Sequence, residues 1–524
     1  MQENFNGIRI AVSMVLIFAL AFLGMGRVTS LCINNENSNV NTVSVVIESG
    51  RGDFYYSNGG KITGNKKYFA NVFLPQKNAK SIFYENATET EKVIGDKAFL
   101  NNKPAILKRN IKINGTGVYS FEISDRYTNI NYLEHLIGYI NGENIGVSGL
   151  EKGYEEVLKA KNSVTADFFV DATGEYLIGA QPTVNKEINS SKVYLTINSD
   201  IQSSVKAAAL KINKGAVVVS EISTGKIRGI ISKPGYDINN LDMYLNANNS
   251  PFLNRSLSCY NVGSVFKPVI AAAILENHKE NFTVNCTGNT NISGISFHCY
   301  NRKGHGIMSL GSAIRESCNC YFYSGVGLIE PKSILSLANS LMFSSPINIA
   351  NNLSAKGGNL PTYKVLENPA AAANFSIGQG DILLSPLVMI NLYSAIANEG
   401  VYYAPTLIEG VYTNGKYKKE NTAAETYVFS KSTAAVLKEY LSNVVSHGTG
   451  ENAMPEKGKA GGKTATAQTG KTGIDGEIIN SWFCGFFTLE NPKYSVTVFL
   501  EDSKNSAINA AEVFKLIADK VNTL

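Results

Sequence analysis

The sequence predicts an α+β protein: an antiparallel sheet flanked by helices, preceded by a β-rich domain and an N-terminal membrane helix. Three observations carry this expectation. An uncharged run, IAVSMVLIFALAFLGMG (10–26), opens the chain. Residues 28–190 hold short alternating runs among Asn, Gly, Lys and Tyr, the pattern of an irregular β-rich module. From 191 onward one strong hairpin comes early and a second late, with helical stretches between, which is how a sheet closed by both ends of one domain reads.

Composition sets the limits. At about 150 residues per domain, a chain of 524 residues holds two to four domains. With 44% hydrophobic and 17% charged residues it can build a sizeable packed core. The net charge of +5 is spread thinly, with no Lys/Arg run of the kind that binds nucleic acid. Seven cysteines do not make a disulfide scaffold at this length. Cys286 and Cys299 flank a Gly/Asn-rich hairpin stretch and could pair in an oxidising compartment, whereas Cys318 and Cys320 are too close to bridge and read as small buried thiols. The five histidines show neither HExxH nor a Cys-His spacing suited to zinc, so a metalloenzyme is not expected.

Taken in order, the run between Arg9 and Arg27 approaches, with its flanks, the ~20 residues that span a bilayer. A cleaved signal peptide ending near Val28-Thr29-Ser30 is the competing reading, but the run is longer than a signal core of about 7–15 residues. A retained anchor over 1–27 is favoured. Lipid attachment through Cys32 would need a small residue where Leu31 stands. With nine residues ahead of the span, export of the long remainder is the simpler topology. Strands are expected at 41–49 and 117–124, and a helix over 148–162 with Ser148 and Glu151 as its capping box. A strand at 192–198 and a capped helix at 199–213 lead into a hairpin, KGAVVVSEI and IRGIISKP, turning at Gly225. SWFCGFF (481–487) and YSVTVFL (494–500) form the late hairpin, and a helix over 506–521 closes the chain.

Chemistry concentrates in three places. In YNVGSVFKPVIAAAILE (260–276), Pro268 marks a helix start, so Ser264 and Lys267 share one face at its first turn. A serine there sits by exposed N–H groups, and a lysine one turn on accepts its proton once desolvation or a nearby cation lowers its pKa. Alone, this spacing also fits an ordinary helix with a solvated lysine. Fifty-three residues beyond Ser264, Ser317-Cys318-Asn319 offers a second hydroxyl and a steering amide, or a plain helix junction. Lastly, AGGKTATAQTGKTG (460–473) carries two Lys-Thr pairs, at 463 and at 471.

The order Ser-x-x-Lys, Ser-x-Asn, Lys-Thr-Gly is that of penicillin-binding proteins and serine β-lactamases. Beyond these motifs the chain resembles a class B penicillin-binding protein, a monofunctional peptidoglycan D,D-transpeptidase, almost end to end. ESGRGDFYYSNGGKI (48–62), HLIGYI with GVSGLEKGYEEVL, GAVVVSEISTGKIRGIISKPGYD, LNRSLSCYNVGSVFKP, HGIMSLGSAIRESCN, NFSIGQGDILLSPL and SWFCGFF follow in family order. The resemblance implies an anchor (1–27), a pedestal (28–190) and a transpeptidase domain (191–524). The family's Lys-Thr-Gly strand precedes a Trp-Phe strand by about twenty residues, and Lys463 lies nineteen residues before Trp482 whereas Lys471 lies eleven. Lys463 is therefore the working copy, and KTG 471–473 is expected in a glycine-studded turn.

By the same resemblance Ser264, Lys267, Ser317, Asn319 and Lys463 are catalytic, and Thr464, Ala465 and Thr466 bind substrate. Ala465 departs from the family glycine and puts a methyl where backbone and substrate approach closely. The implied reaction acylates Ser264 with D-Ala-D-Ala stem peptides, or with β-lactams, and needs no metal or organic cofactor. D,D-carboxypeptidase activity on the side is also implied. Implied partners are the stem peptides and a membrane glycosyltransferase of the shape, elongation, division and sporulation family, on the extracytoplasmic side of a single-pass protein. His305-Gly306 and Gly378-Gln379-Gly380 are expected to shape turns around the cleft. A penicillin-binding scaffold or sensor without turnover is the alternative that Ala465 raises. A β-lactamase is disfavoured, since a secreted hydrolase needs neither anchor nor pedestal.

Overall fold

A computed structural model describes residues 2–33, 41–130, 132–159, 163–186, 191–420, 423–473, 476–488, 490–506 and 508–524. They form two compact units, one of residues 1–48, 69–123 and 164–186, the other of 49–68, 124–163 and 187–524. The division follows packing rather than chain order, and the 28–190 stretch contributes to both.

The first unit begins with the helix Gln2–Ile33. Within it Val12–Ser30, 19 residues, is long and apolar enough to cross a membrane and is wholly exposed. The side chain of Cys32 lies outside the described residues. Thr42–Ser49, Ser163–Phe169 and Thr183–Lys186 form one small sheet, and Lys66–Phe73 sits between Ala105–Arg109 and Val118–Asp125 in another. The strands expected at 41–49 and 117–124 are thus present. Phe73, Phe83, Phe99 and Leu107 make the core beneath the helices Lys77–Asn86 and Glu89–Leu100.

The second unit is built on a five-stranded antiparallel sheet. Its strands are β1 (Gly215–Glu221), β2 (Ile227–Lys233), β3 (Ala460–Gly473), β4 (Gly476–Phe487) and β5 (Tyr494–Leu500), arranged in the order β2-β1-β5-β4-β3. Successive side chains of a strand point to opposite faces, so a sheet covered on both sides needs continuous apolar runs. β5, at the centre, is buried at all seven positions. Val217, Val219, Phe483 and Val498 face one core with α1 (Ser199–Ala209) and α7 (Ala510–Val521). Ala216, Val218, Trp482 and Phe499 face the other core, which α2 (Lys267–Glu276), α5 (Pro386–Ala397) and α6 (Lys431–His447) share. α5 is apolar all round because it is buried at every position. β3 is an edge strand, which leaves one row of its backbone N–H and C=O groups without a neighbouring strand.

Several boundaries differ from expectation. The 148–162 helix is two short ones, Gly149–Gly153 and Glu155–Leu158, and residues 160–162 lie outside the described residues. Ser148 makes no side-chain cap; its hydroxyl instead accepts from the Tyr139 N–H at 3.1 Å. Glu151 is pulled away from the cap by two guanidinium groups. Arg51 Nε donates to its Oε2 at 2.8 Å and Arg126 Nε to its Oε1 at 2.6 Å, with Tyr127 hydroxyl adding a third bond at 3.1 Å. The helix expected from 199 to 213 ends at Ala209, and the last helix starts at Ala510 rather than 506, on an Asn509–Glu512 capping box. Lys471-Thr472-Gly473 ends strand β3 rather than occupying a turn, because β4 extends to pair with it beyond an irregularity at Gln468. Cys286 and Cys299 are unbridged thiols.

Glu151 is wholly buried, and its carboxylate is the partner that Arg51 and Arg126 share. Glu151→Ala is expected to destabilise this unit by about 3–5 kcal/mol, the cost of breaking a buried ion pair on one side, and urea titration followed by circular dichroism measures it.

Candidate active site

Ser264 lies in a 3₁₀ turn, Gly263–Phe266, that runs directly into α2, with Pro268 in the helix's first turn. Gly263 starts the turn at φ +61°, a left-handed conformation that glycine adopts without a Cβ clash. The turn is held from three sides. Gly263 N–H donates to the Gly378 carbonyl at 2.9 Å, Tyr393 hydroxyl to the Val265 carbonyl at 3.0 Å, and Trp482 Nε1 to the Asn261 carbonyl at 2.9 Å. Gly378 must lack a side chain, since a Cβ there would stand 2.1 Å from the Gly263 oxygen. Ser264 itself is half-buried, and its hydroxyl has no hydrogen-bond partner among the described residues.

Lys267 is fully buried. Its Nζ donates to the Ser317 carbonyl at 2.7 Å, to Asn319 Oδ1 at 2.7 Å and to Ser317 Oγ at 3.2 Å. Ser317 joins α3 (Leu310–Arg315) to α4 (Asn319–Gly325) at φ +54°, a conformation that strains a serine and turns its carbonyl inward to the amine. Burial lowers the Lys267 pKa to about 7, against an opposing pull from the thiols of Cys318, Cys299 and Cys320. Of the two causes expected, desolvation and a nearby cation, desolvation is the one that lowers it.

Lys463 sits on β3 and is also fully buried. Its pKa falls well below the ordinary lysine value, first through burial and then through the charge of Lys267. Two amines in one dry site do not hold two protons comfortably. Lys463 Nζ donates to the Thr464 carbonyl at 3.2 Å and to Thr449 Oγ1 at 3.5 Å, and Thr464 Oγ1 reaches the same Thr449 hydroxyl at 3.3 Å. Thr449 N–H in turn donates to the Arg315 carbonyl at 3.3 Å, so one threonine links β3 to the end of α3 just ahead of Ser317. Sequence reading passed over Thr449; its only signal is the Gly-Thr-Gly that ends α6.

Along β3 Lys463, Ala465 and Ala467 are buried while Thr464 and Thr466 are half-buried and exposed, the alternation of a strand. The Ala465 methyl faces Gly263, where an added Cβ would come within 3.4 Å of it. The methyl shares the space beside that glycine with Ala467 Cβ and the Thr466 carbonyl, each 3.3 Å from the same point, and lies on the opposite face from the two threonines. Lys471 and Thr472 are exposed. Gly378 and Gly380 take φ +72° and +83°, the turn-shaping role expected of them. His305 does more than shape a turn. Together with Cys286, Cys299 and Cys318 it forms a group whose ligand atoms all lie within 4.8 Å of one another, a meeting that no local Cys-His spacing in the sequence announces.

Residues 215–519 match the family described as the penicillin binding protein transpeptidase domain. The chain belongs to this family. It is a class B penicillin-binding protein, 27% identical over 520 residues to Stage V sporulation protein D of Bacillus subtilis, covering 92% of this chain and 78% of that one. To the peptidoglycan D,D-transpeptidase FtsI of Buchnera aphidicola it is 25% identical over 473 residues, covering 85% and 76%. Penicillin binding protein 3 of Mycobacterium tuberculosis, solved in complex with ampicillin, has the same fold, with a TM-score of 0.67 at 20% identity over 91% of this penicillin-binding protein and 96% of that chain.

Because the Ala465 methyl packs against Gly263, Ala465→Gly is expected to cost about 0.5–1 kcal/mol in thermal unfolding. The same variant should change the rate of β-lactam acylation by less than about threefold, under about 0.7 kcal/mol of barrier, in a stopped-flow assay.

Proposed function

We propose that this protein cross-links peptidoglycan by D,D-transpeptidation, with Ser264 acylated by the D-Ala-D-Ala end of a stem peptide and D-Ala released. The observation that supports this most is Lys267: buried, with a pKa of about 7, and one turn beyond Ser264, whose hydroxyl has no hydrogen-bond partner among the described residues. A base poised near the working pH combines the right protonation state with useful proton affinity.

The stem peptide's terminal carboxylate lies between Thr464, Thr466 and Lys463, and its charge restores the proton that burial loosens on Lys463. Neutral Lys267 takes the Ser264 proton as the hydroxyl oxygen attacks the carbonyl between the two D-alanines. Backbone N–H groups of Ser264 and Thr466 stabilise the oxyanion, and losing one such donor costs about 10²–10³ in rate. Ser317, steered by Asn319, passes a proton to the nitrogen of the departing D-Ala. An amine from a neighbouring stem then attacks the acyl-enzyme and restores Ser264; water in its place gives the carboxypeptidase side reaction. Ala465 borders this path through its backbone. β-Lactams present the same acyl group and carboxylate, and acylate Ser264 without a leaving group that diffuses away.

The helix over 1–27 anchors the protein as a single span with the catalytic domain outside the cytoplasm, and the 28–190 stretch serves as pedestal. A separate membrane glycosyltransferase of the shape, elongation, division and sporulation family supplies the glycan strands that this enzyme joins.

Full-length protein in detergent, treated with a fluorescent penicillin, is expected to carry one adduct, located on Ser264 by mass spectrometry and absent from Ser264→Ala. A folded protein that carries no adduct, or carries it elsewhere, refutes the reading. The acylation rate should also depend on pH in one direction. Protonation removes the Lys267 base, so the rate falls about tenfold per unit below about pH 7 and levels off above it.

A further inference from the structure

Where β2 ends, the short helix Glu134–Ile137 sets Glu134 and His135 against the chain that leads toward the nucleophile. We propose that these two side chains jointly hold one proton in the folded protein, with the carboxyl as its carrier, and that this buried proton is a pH-sensitive latch between the helix and the 232–255 stretch.

The two side chains are almost wholly out of water, 5% and 3% exposed, and Glu134 Oε1 stands 3.9 Å from His135 Nδ1. The other ring nitrogen decides the tautomer. His135 Nε2 lies 2.7 Å from the Pro251 carbonyl, which only accepts, so Nε2 carries the ring proton. Nδ1 has no hydrogen-bond partner, and it is turned toward a carboxyl group that receives no side-chain donor among the described residues. Without a proton between them, a buried carboxylate would face a buried lone pair; with two, an imidazolium would stand buried and uncompensated. One proton is the neutral count for the pair. Of the two places for it, the carboxyl is favoured. The His135 pKa falls to about 4, through burial first and then, against the pull of the Pro251 carbonyl, through the charge of Arg255. The Glu134 pKa rises to about 7, because burial outweighs the backbone N–H groups of Glu134 and Tyr236 and the charges of Lys233 and Lys206.

The surroundings make a latch of the pair. Gly235 lies flat on the carboxyl, since a Cβ there would stand 2.1 Å from Glu134 Oε1. Tyr236 hydroxyl donates to the Glu134 carbonyl at 3.1 Å, and its ring meets the imidazole edge-on with 5.1 Å between centroids. Asn254 Nδ2 donates to the His135 carbonyl at 3.4 Å, while the imidazole itself holds Pro251. Arg255, next along, is 1% exposed and ties the same stretch to the sheet, its N–H donating to Ser232 Oγ at 2.9 Å and its Nε to Glu501 Oε2 at 2.5 Å. Ser264 follows nine residues later. Lys233, at the end of β2, and Lys206, on α1, hold their amines 5.0 Å and 5.7 Å from the centroid of the Tyr132 ring. A carboxylate that has lost its proton thus has cations to turn to, and turning from His135 toward them opens the latch.

Each partner's shift gives a pH slope of its own. Glu134, raised from 4.5, favours the folded state below about pH 4.5 and loses that advantage as pH rises through about 7. His135, lowered from 6.5, favours it above about pH 6.5 and loses that advantage as pH falls through about 4. In the wild type the two slopes oppose each other. Thermal unfolding of full-length protein in detergent should separate them, by up to about tenfold in the folding constant per pH unit. Relative to wild type, Glu134→Gln should lose stability as pH falls from about 7 to about 4.5, and His135→Asn as pH rises from about 4 to about 6.5. Infrared difference spectra between about pH 6 and about pH 9 should show the C=O stretch of one buried protonated carboxyl in the wild type and none in Glu134→Gln. Amide exchange over 249–255, corrected for the intrinsic effect of pH, should be at least about threefold faster at the higher pH in the wild type and unchanged in Glu134→Gln. The wild-type spectrum and exchange stand even where a variant fails to fold. No carboxyl band at the lower pH, a band that survives Glu134→Gln, or parallel stability profiles for all three proteins would overturn the shared proton. Wild-type exchange that ignores pH would overturn the latch.

Discussion

A lysine amine that water cannot reach must either be given acceptors by the protein or give up its proton. Lys267 is held between these outcomes. Full burial opposes its charge and the neighbouring thiols favour it, leaving its pKa about 7, while two oxygens accept from the amine at 2.7 Å. A displacement of that size from 10.5 corresponds to a free energy on the order of 5 kcal/mol, far more than a surface ion pair supplies. The surrounding structure has to sustain it. The first eight residues of α2 are buried, so the helix cannot slide toward solvent. The break between α3 and α4 points a main-chain carbonyl inward, and a serine in the left-handed region is its local cost.

The sheet serves the same site by where it ends. Among its five strands, the ladder stops only at β3 and, at the opposite end, at β2. Because β3 carries Lys463 on its buried face and two threonines on the other, a single extended segment presents a cation, hydroxyls and free backbone groups together. Thr449 then fastens this strand to the end of α3, so the three motifs are connected by hydrogen bonds as well as by proximity.

Local rules made much of this legible in advance. Pro268 marks the start of α2, and with it the shared face of Ser264 and Lys267, because proline's missing N–H suits the first turn. The β1–β2 and β4–β5 hairpins follow from uninterrupted apolar runs around turn residues. What escaped notice is non-local. Ser148 and Glu151 have capping-box spacing, yet two arginines, at 51 and 126, draw the carboxylate away from the cap. The strand nature of 471–473 depends on how far β4 extends, which 471–473 alone do not encode. The cysteine–histidine group is spread from 286 to 318 with no local motif, and only the folding of two hairpins against α4 assembles it. Thr449 belongs to the same class, since its partners lie on α3 and β3.

The chain has one tryptophan, and it is Trp482, on β4, with its indole N–H bonded to the Asn261 carbonyl three residues before Ser264. It is almost fully buried and lies against Phe499. The protein's only indole fluorophore thus stands on the seam between the sheet and the nucleophile's turn. Its emission reports the polarity and rigidity of that seam without contribution from any other tryptophan. An unlabelled protein therefore carries its own optical gauge of what happens beside Ser264.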